Sequence, residues 1–311
     1  MPLLTEKSII REHYAQLKQT LLPHLKGHTV VHLDIPCHMN IGDLLIDAGT
    51  SHFLADNNIN CAARLSLHEF SHLKRYSKSN DVIFLLHGGG NFGDLYPRHQ
   101  EYRKAVVQAY KNNHIIALPQ SAHYKDKKFF ISDSKIFNAH PKLLICARDN
   151  KTHDYMSSYI DREKLCLLPD MASSLVDTIK TKKPSCDKTL YFRRRDQESA
   201  GIESDHNNFS LENSFDWEDV ITEQDEKQMR RCHRTMKKSR YRIRTRFAHK
   251  SHIQLRDKLT QKAINHFQQF STIDSDRLHG IILAQLLQIP TIVHDNIYGK
   301  SSNYVNTWLS K

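Results

Sequence analysis

The chain of 311 residues has no apolar run long enough to cross a bilayer. Its apolar stretches, such as IILAQLLQIP, reach about half of the roughly 20 residues a spanning helix needs, which excludes a helical membrane protein. The segment MPLLTEKSIIREHYAQLKQTLLPHL carries charges throughout and lacks the basic, apolar, small-residue order of a secretory signal, so a cytoplasmic location is expected. CxxC pairs are also missing. The six cysteines (Cys37, Cys61, Cys146, Cys166, Cys186, Cys232) show no tight spacing, so reduced thiols packed as small hydrophobes are expected rather than a disulfide framework or a structural zinc. The histidines read as scattered, and no dedicated metal site and no cofactor are expected. No repeat with a period of about 20–50 residues and no low-complexity tract occurs, which removes solenoids and propellers. Acids are in short supply: 34 Asp and Glu face 45 Lys and Arg, a formal +11, so an anionic partner is expected.

What is present is an alternation. Short β-rich runs are followed by helical patterns: TVVHLDIP then GDLLIDAGTSHFLADN, DVIFLLH then PRHQEYRKAVVQAYKNN, HIIALPQ, KLLICA then RDNKTHDYMSSYI, KLCLLPD then MASSLVDTI. Such units predict a mainly parallel sheet in an α/β fold. Before them, Ile10, Tyr14, Leu17 and Leu21 stand at the spacing of a packing helix. The charged stretch TIKTKKPSCDK at 178–188 reads as a linker. The expected organisation is an N-terminal Rossmann-like domain over 1–180 and a C-terminal one over 186–298. A closing helix over 299–311 would pack back on the first domain.

Three segments carry the candidate chemistry. In DVIFLLHGGGNFGDLYP a buried strand runs into Gly88, Gly89 and Gly90, where backbone could approach a ligand that a Cβ would exclude. Gly88, Gly90 and Gly93 formally fit GxGxxG, but the following strand ends in Gln120 and Ser121 instead of an acidic ribose ligand, and no GKS or GKT follows. In STIDSDRLHGIILAQLL, Ser275 or Asp276 as N-cap would put Arg277 and His279 in the first turn of an apolar helix, where unpaired N–H groups favour an anion. Arg277 offers a bidentate fork, and His279 a proton donor near neutral pH. In LYFRRRD, Arg193, Arg194 and Arg195 repel one another unless an anion, or Asp196 and Glu198, stands between them. Lesser candidates follow other strands: Asn40, Gly42 and Asp43; Arg148 and Asp149; Asp170. The run from Arg230 to Arg246 holds nine Lys or Arg in 17 residues and no acid. It has no recognisable nucleic-acid motif, so nucleic acid is not the expected partner.

Taken together, GDLLID, HGGGNFGDLYP, LPQS, ARD, LPDMA, FRRRDxE, the Asp216–Trp217 pair, SDRLHG and DNxYGK resemble the polysaccharide pyruvyl transferase family, in order, from about residue 35 to 305. The resemblance implies two facing Rossmann-like domains, similar to the GT-B glycosyltransferase arrangement. It also implies transfer of a pyruvyl group from phosphoenolpyruvate to sugar hydroxyls of a polysaccharide or its lipid-linked precursor. The products would be a pyruvate ketal and phosphate. By position, Arg277 and His279 would act on phosphoenolpyruvate, with one of Arg193, Arg194 or Arg195. His279 would be the general acid, Asp43 or Asp94 the base, and Gly88, Gly89, Gly90, Asn91, Gln120 and Ser121 would line the acceptor cleft. The basic run would then face an anionic membrane surface carrying a lipid-linked oligosaccharide acceptor. The alternative activity is a nucleotide-sugar-dependent glycosyltransferase, which shares that fold.

Overall fold

The computed structural model describes residues 2–195, 214–238, 242–295 and 298–310. Helix α1 (Lys7–Leu25) precedes β1 (Thr29–Leu33), α2 (Ile41–Asp56) and β2 (Asn60–Leu65). After a 3₁₀ segment at Leu67–Arg75 come β3 (Val82–Leu86), β4 (Gly89–Gly93), α3 (Pro97–Ala109), β5 (Ile115–His123), α4 (Lys127–Asn138), β6 (Leu143–Ala147), α5 (Asn150–Ser157) and β7 (Leu165–Leu167). These strands form one parallel sheet in the order β2-β1-β3-β5-β6-β7, with β4 paired to the far end of β5. The chain then builds β8 (Thr189–Phe192), α6 (Glu223–Lys238), α7 (Arg242–Phe267), β9 (Thr272–Ser275), α8 (Leu278–Leu286), β10 (Thr291–Val293) and α9 (Lys300–Trp308). β8, β9 and β10 form a second parallel sheet, in that order. No described helix is long and apolar enough to cross a membrane.

Strands buried on both faces read as continuous apolar runs, as VIFLL of β3 and LLICA of β6 do. Alternate residues feed two cores. Val31, Phe84 and Ile115 pack with α3 and α4 residues such as Val106 and Phe137. Val30, Ile83 and Ile116 join α1 and α2 in a core that continues without interruption to Phe267, Ile273 and Ile281 of the second sheet's layer. The ends of the chain tie across as well: Leu3 bridges Thr291, and Trp308 of α9 donates from Nε1 to the Arg148 carbonyl at 2.8 Å.

Three local expectations change. MASSLVDTI forms only a 3₁₀ segment at Met171–Leu175, because Asp170 caps it and Ser174 Oγ turns back to the carbonyls of Met171 and Gly49. NCAARL, too polar to be read as a strand, is β2, at the edge of the sheet, where one side of the ladder faces outward. The triple glycine is not an open loop: Gly89–Gly93 extends as β4 beside the end of β5.

Candidate functional site

Order reverses between β1 and β3, since β2 lies on one side of β1 and β3 on the other; open parallel sheets bind ligands beyond the strand ends at such a point. A cleft of about 250 Å³ lies there. It is lined by His38, Asn40 and Asp43 after β1, Gly90 and Asn91 after β3, and Arg148 after β6. The second sheet adds Arg194 after β8 and Arg277, Leu278 and His279 after β9, with Trp217 and Lys300 completing the wall.

Asn40 caps α2, accepting from the Gly42 amide at 3.0 Å, and its Nδ2 donates to Asp43 at 2.9 Å. Gly42 is glycine because His279 lies across it: a Cβ there would stand 2.6 Å from His279 Nδ1. On its other edge, His279 Nε2 is 3.4 Å from Asp170 Oδ2, which Arg148 also grips through Nη1 at 2.9 Å. Arg148 is fully buried and donates to Ser121 Oγ at 3.2 and 3.0 Å, and Ser121 in turn donates to Asp149 at 2.7 Å. Burial would raise the Asp170 carboxyl, but His279 and Arg148 outweigh it and hold it well below the usual carboxylate range. Burial likewise pushes Asp43 up, and the neighbouring His38, His279 and Arg148 bring it below its ordinary value.

The three arginines after β8 part company. Arg193 is buried and paired with Asp274 of β9. Arg195 is exposed and paired with Asp219 at 3.1 Å. Only Arg194 of the three lines the cleft, its amide held by Asp276 Oδ1 at 2.9 Å. Arg277 does not fall inside the first turn of α8 but just before it, with its amide on Ser275 Oγ at 3.0 Å. Its guanidinium is oriented by an ion pair with buried Asp216 and by the Phe192 ring, 5.9 Å below. The Asp196 and Glu198 expected to neutralise these cations lie outside the described residues.

The acceptor-side expectations divide too. Gly90 reaches the cleft between two cations, where a Cβ would lie 3.3 Å from Lys300 Nζ and 3.7 Å from Arg148 Nη2. Asn91 also lines it, its Oδ1 accepting from Arg103 at 2.8 Å. Gly88 is required by the protein itself, since a Cβ would meet the Pro119 carbonyl at 2.9 Å, and Gly89 takes the left-handed region at φ 119°. Gln120 is buried and donates to the His87 carbonyl, and Ser121 lies beneath Arg148; neither faces the cleft. Asp94 is not brought to it either: its carboxylate is taken up by the amides of Lys125, at 2.9 and 2.8 Å, and Asp126, at 3.3 Å.

Lys300, His38, Tyr96 and His99 line the cleft without having been singled out. DNxYGK contained the signal for Lys300 and HGGGNFGDLYP that for Tyr96; nothing local marks the two histidines. The histidines are also less scattered than expected, because HEFSH at 68–72 spells HExxH. That motif needs a regular helix to put both imidazoles on one face. Here the backbone breaks at Glu69, whose buried carboxylate accepts from Ser66 and pairs with His249 at 3.0 Å, while His68 lies tilted against His233 with ring centroids 4.6 Å apart. Among the described residues, His32, Asp47 and His87 are the donors that stand close enough for a metal. Arg64 and Arg256 pair with Asp47, and burial lowers both histidines below their ordinary value.

The polysaccharide pyruvyl transferase family model matches residues 40–296. A Bacillus subtilis protein named as a pyruvyl transferase, EpsO, is 33% identical over 287 residues, covering 91% of this chain and 86% of its own. Pyruvyl transferase 1 of Schizosaccharomyces pombe is 25% identical over 298 residues, covering 89% and 69%. In fold, the chain is similar to a solved structure of an uncharacterized protein from Klebsiella pneumoniae, with a TM-score of 0.62 and 21% identity over 94% of this chain and 92% of that one. The family model takes in β2 to β10 and the cleft-lining residues from Asn40 to His279, and the chain belongs to the polysaccharide pyruvyl transferase family.

Proposed function

We propose that the chain transfers the pyruvyl unit of phosphoenolpyruvate to two hydroxyls of a sugar, in a polysaccharide or its lipid-linked precursor, forming a ketal and releasing phosphate. The observation that carries this reading is the set of cations around one imidazole: Arg194, Arg277 and Lys300 line the cleft that His279 enters. A donor with a carboxylate and a phosphate suits such a set. In this reading His279 protonates the vinyl carbon C3. The cationic C2 then bonds to the first hydroxyl oxygen, whose proton passes to Asp43. The second hydroxyl attacks C2 as its bond to the phosphate oxygen breaks, and its proton leaves with the phosphate. No further cofactor enters that balance. The two sheets, with strand ends lining one cleft, support a division into two facing Rossmann-like units at about 180–186, and the reduced thiols fit a cytoplasmic enzyme.

Incubation with phosphoenolpyruvate and a galactose- or glucose-bearing acceptor should release phosphate and yield a pyruvylated sugar, followed by mass spectrometry. His279→Ala should lower turnover by roughly 10²–10⁴-fold, the range for a positioned acid. Turnover unchanged in that variant would sink the acid role. Thermal stabilisation by a nucleoside diphosphate but not by phosphoenolpyruvate would instead favour a glycosyltransferase.

A further inference from the structure

No Asp or Glu occurs between Glu226 and Asp257, a stretch with 12 Lys or Arg. It forms most of α6 and the first half of α7, which pack together as a hairpin. α6 buries Met229, Cys232 and Met236 on one side, and the last two meet Ala248 of α7. On the opposite side Arg231, Arg234 and Lys238, at spacings of three and four, are exposed with no ion pair among the described residues. The first turn of the helix is different: there Glu223 and Glu226 neutralise Lys227 and Arg230. The unneutralised charge is therefore concentrated toward the C-terminal end of α6. At the same end α7 exposes Arg246, Lys250 and, between them, Phe247, which at 69% is the most exposed large apolar side chain among the described residues.

We propose that this hairpin docks the protein on an anionic phospholipid surface. Each Lys or Arg near such a surface strengthens binding on the order of fivefold, and an exposed aromatic ring among cations can enter the headgroup boundary. Phosphates of a nucleic acid would use the charges but leave Phe247 in water. The hairpin also stands beside the cleft. His252 of α7 bonds the Pro36 carbonyl at 2.7 Å, and Met236 meets Cys37 at 3.7 Å, next to the lining residue His38. His68 lies tilted against His233 of α6 with ring centroids 4.6 Å apart, and its 3₁₀ segment also packs on α3, which carries His99 on the rim. Docking would hold that rim at the headgroups. The proposal stands on the hairpin and is independent of the donor chemistry.

Co-sedimentation of the full chain with phosphatidylcholine vesicles, with and without about one-third phosphatidylglycerol, tests it. Binding is expected only with the anionic lipid. The triple variant Arg231→Glu, Arg234→Glu, Lys238→Glu should lose about 100-fold or more at low salt. Phe247→Ser should lose on the order of tenfold at high salt, where charge is screened. Both variants should keep the melting temperature. Vesicle binding that ignores lipid charge, or that survives both variants, overturns the proposal. So does tighter binding to duplex DNA or RNA that the triple variant abolishes and Phe247→Ser leaves intact.

Discussion

At the residue scale, two glycines have opposite consequences when filled. Gly42 carries His279 across the first turn of α2, so Gly42→Ala drives a methyl group into the ring and the His279 Cβ, 2.6–2.9 Å away. The imidazole must turn away from the cleft. Turnover should fall at least tenfold while circular dichroism stays native, and full activity in Gly42→Ala would refute this use of the glycine. Gly93 has φ 113°, and a Cβ there would stand 1.9 Å from the His123 carbonyl, a backbone atom that cannot move aside. Gly93→Ala should therefore cost about 1–3 kcal/mol or more in denaturant melts. The two positions are indistinguishable as letters. His279 itself was legible, because a His in SDRLHG opens an apolar helix. Its partner Asp170 stands 109 positions away, so only folding could pair them.

At the element scale, the end of β8 shows how a strand distributes like charges. Arg193 turns into the layer to meet Asp274, Arg194 turns to the cleft, and Arg195 turns to solvent. Arg193→Ala should destabilise by roughly 1–3 kcal/mol, since it leaves the buried Asp274 carboxylate with only His294, 2.9 Å away, beside it. Arg195→Ala breaks an exposed pair and should stay within about 1 kcal/mol. Arg194→Ala should leave the melt unchanged and raise KM for phosphoenolpyruvate, with Arg194→Lys restoring part of the loss; a KM unaffected in Arg194→Ala would remove it from the donor site. The strand and helix order was legible because hydrophobic period survives in sequence. β2 was missed since an edge strand need not be apolar on both faces, and MASSLVDTI failed as a helix because Asp170 and Ser174 tie its backbone locally.

At the scale of the whole molecule, buried histidines couple folding to pH. Burial keeps His32 and His87 neutral and pushes His252 down to about 4, against the later attraction of Asp47. A folded-state value below the unfolded one stabilises the protein above the unfolded pKa and loses that stability as pH falls. Stability should thus be flat above about pH 6.5 and decline below it, His252 alone accounting for about 2 kcal/mol between pH 6.5 and 5. Asp43, Asp47 and Asp170, all held low, add a second decline below about pH 4. Denaturant melts at pH 7, 6 and 5 would measure the first decline, and His252→Asn should make it shallower; a wild-type stability constant over that range would contradict the account.

The sequence by itself determined the parallel α/β alternation, the buried strands, the family and the placing of candidate groups after strand ends. Each of these is written in local periodicity or in a short motif. Tertiary structure alone decided which groups share the cleft. It selected Arg194 over its neighbours, withdrew Asp94, Gln120 and Ser121, and brought Lys300 to Gly90. The physical reason is that a side chain's direction and partners depend on contacts from distant segments, while a pattern of letters records only what lies within a few turns.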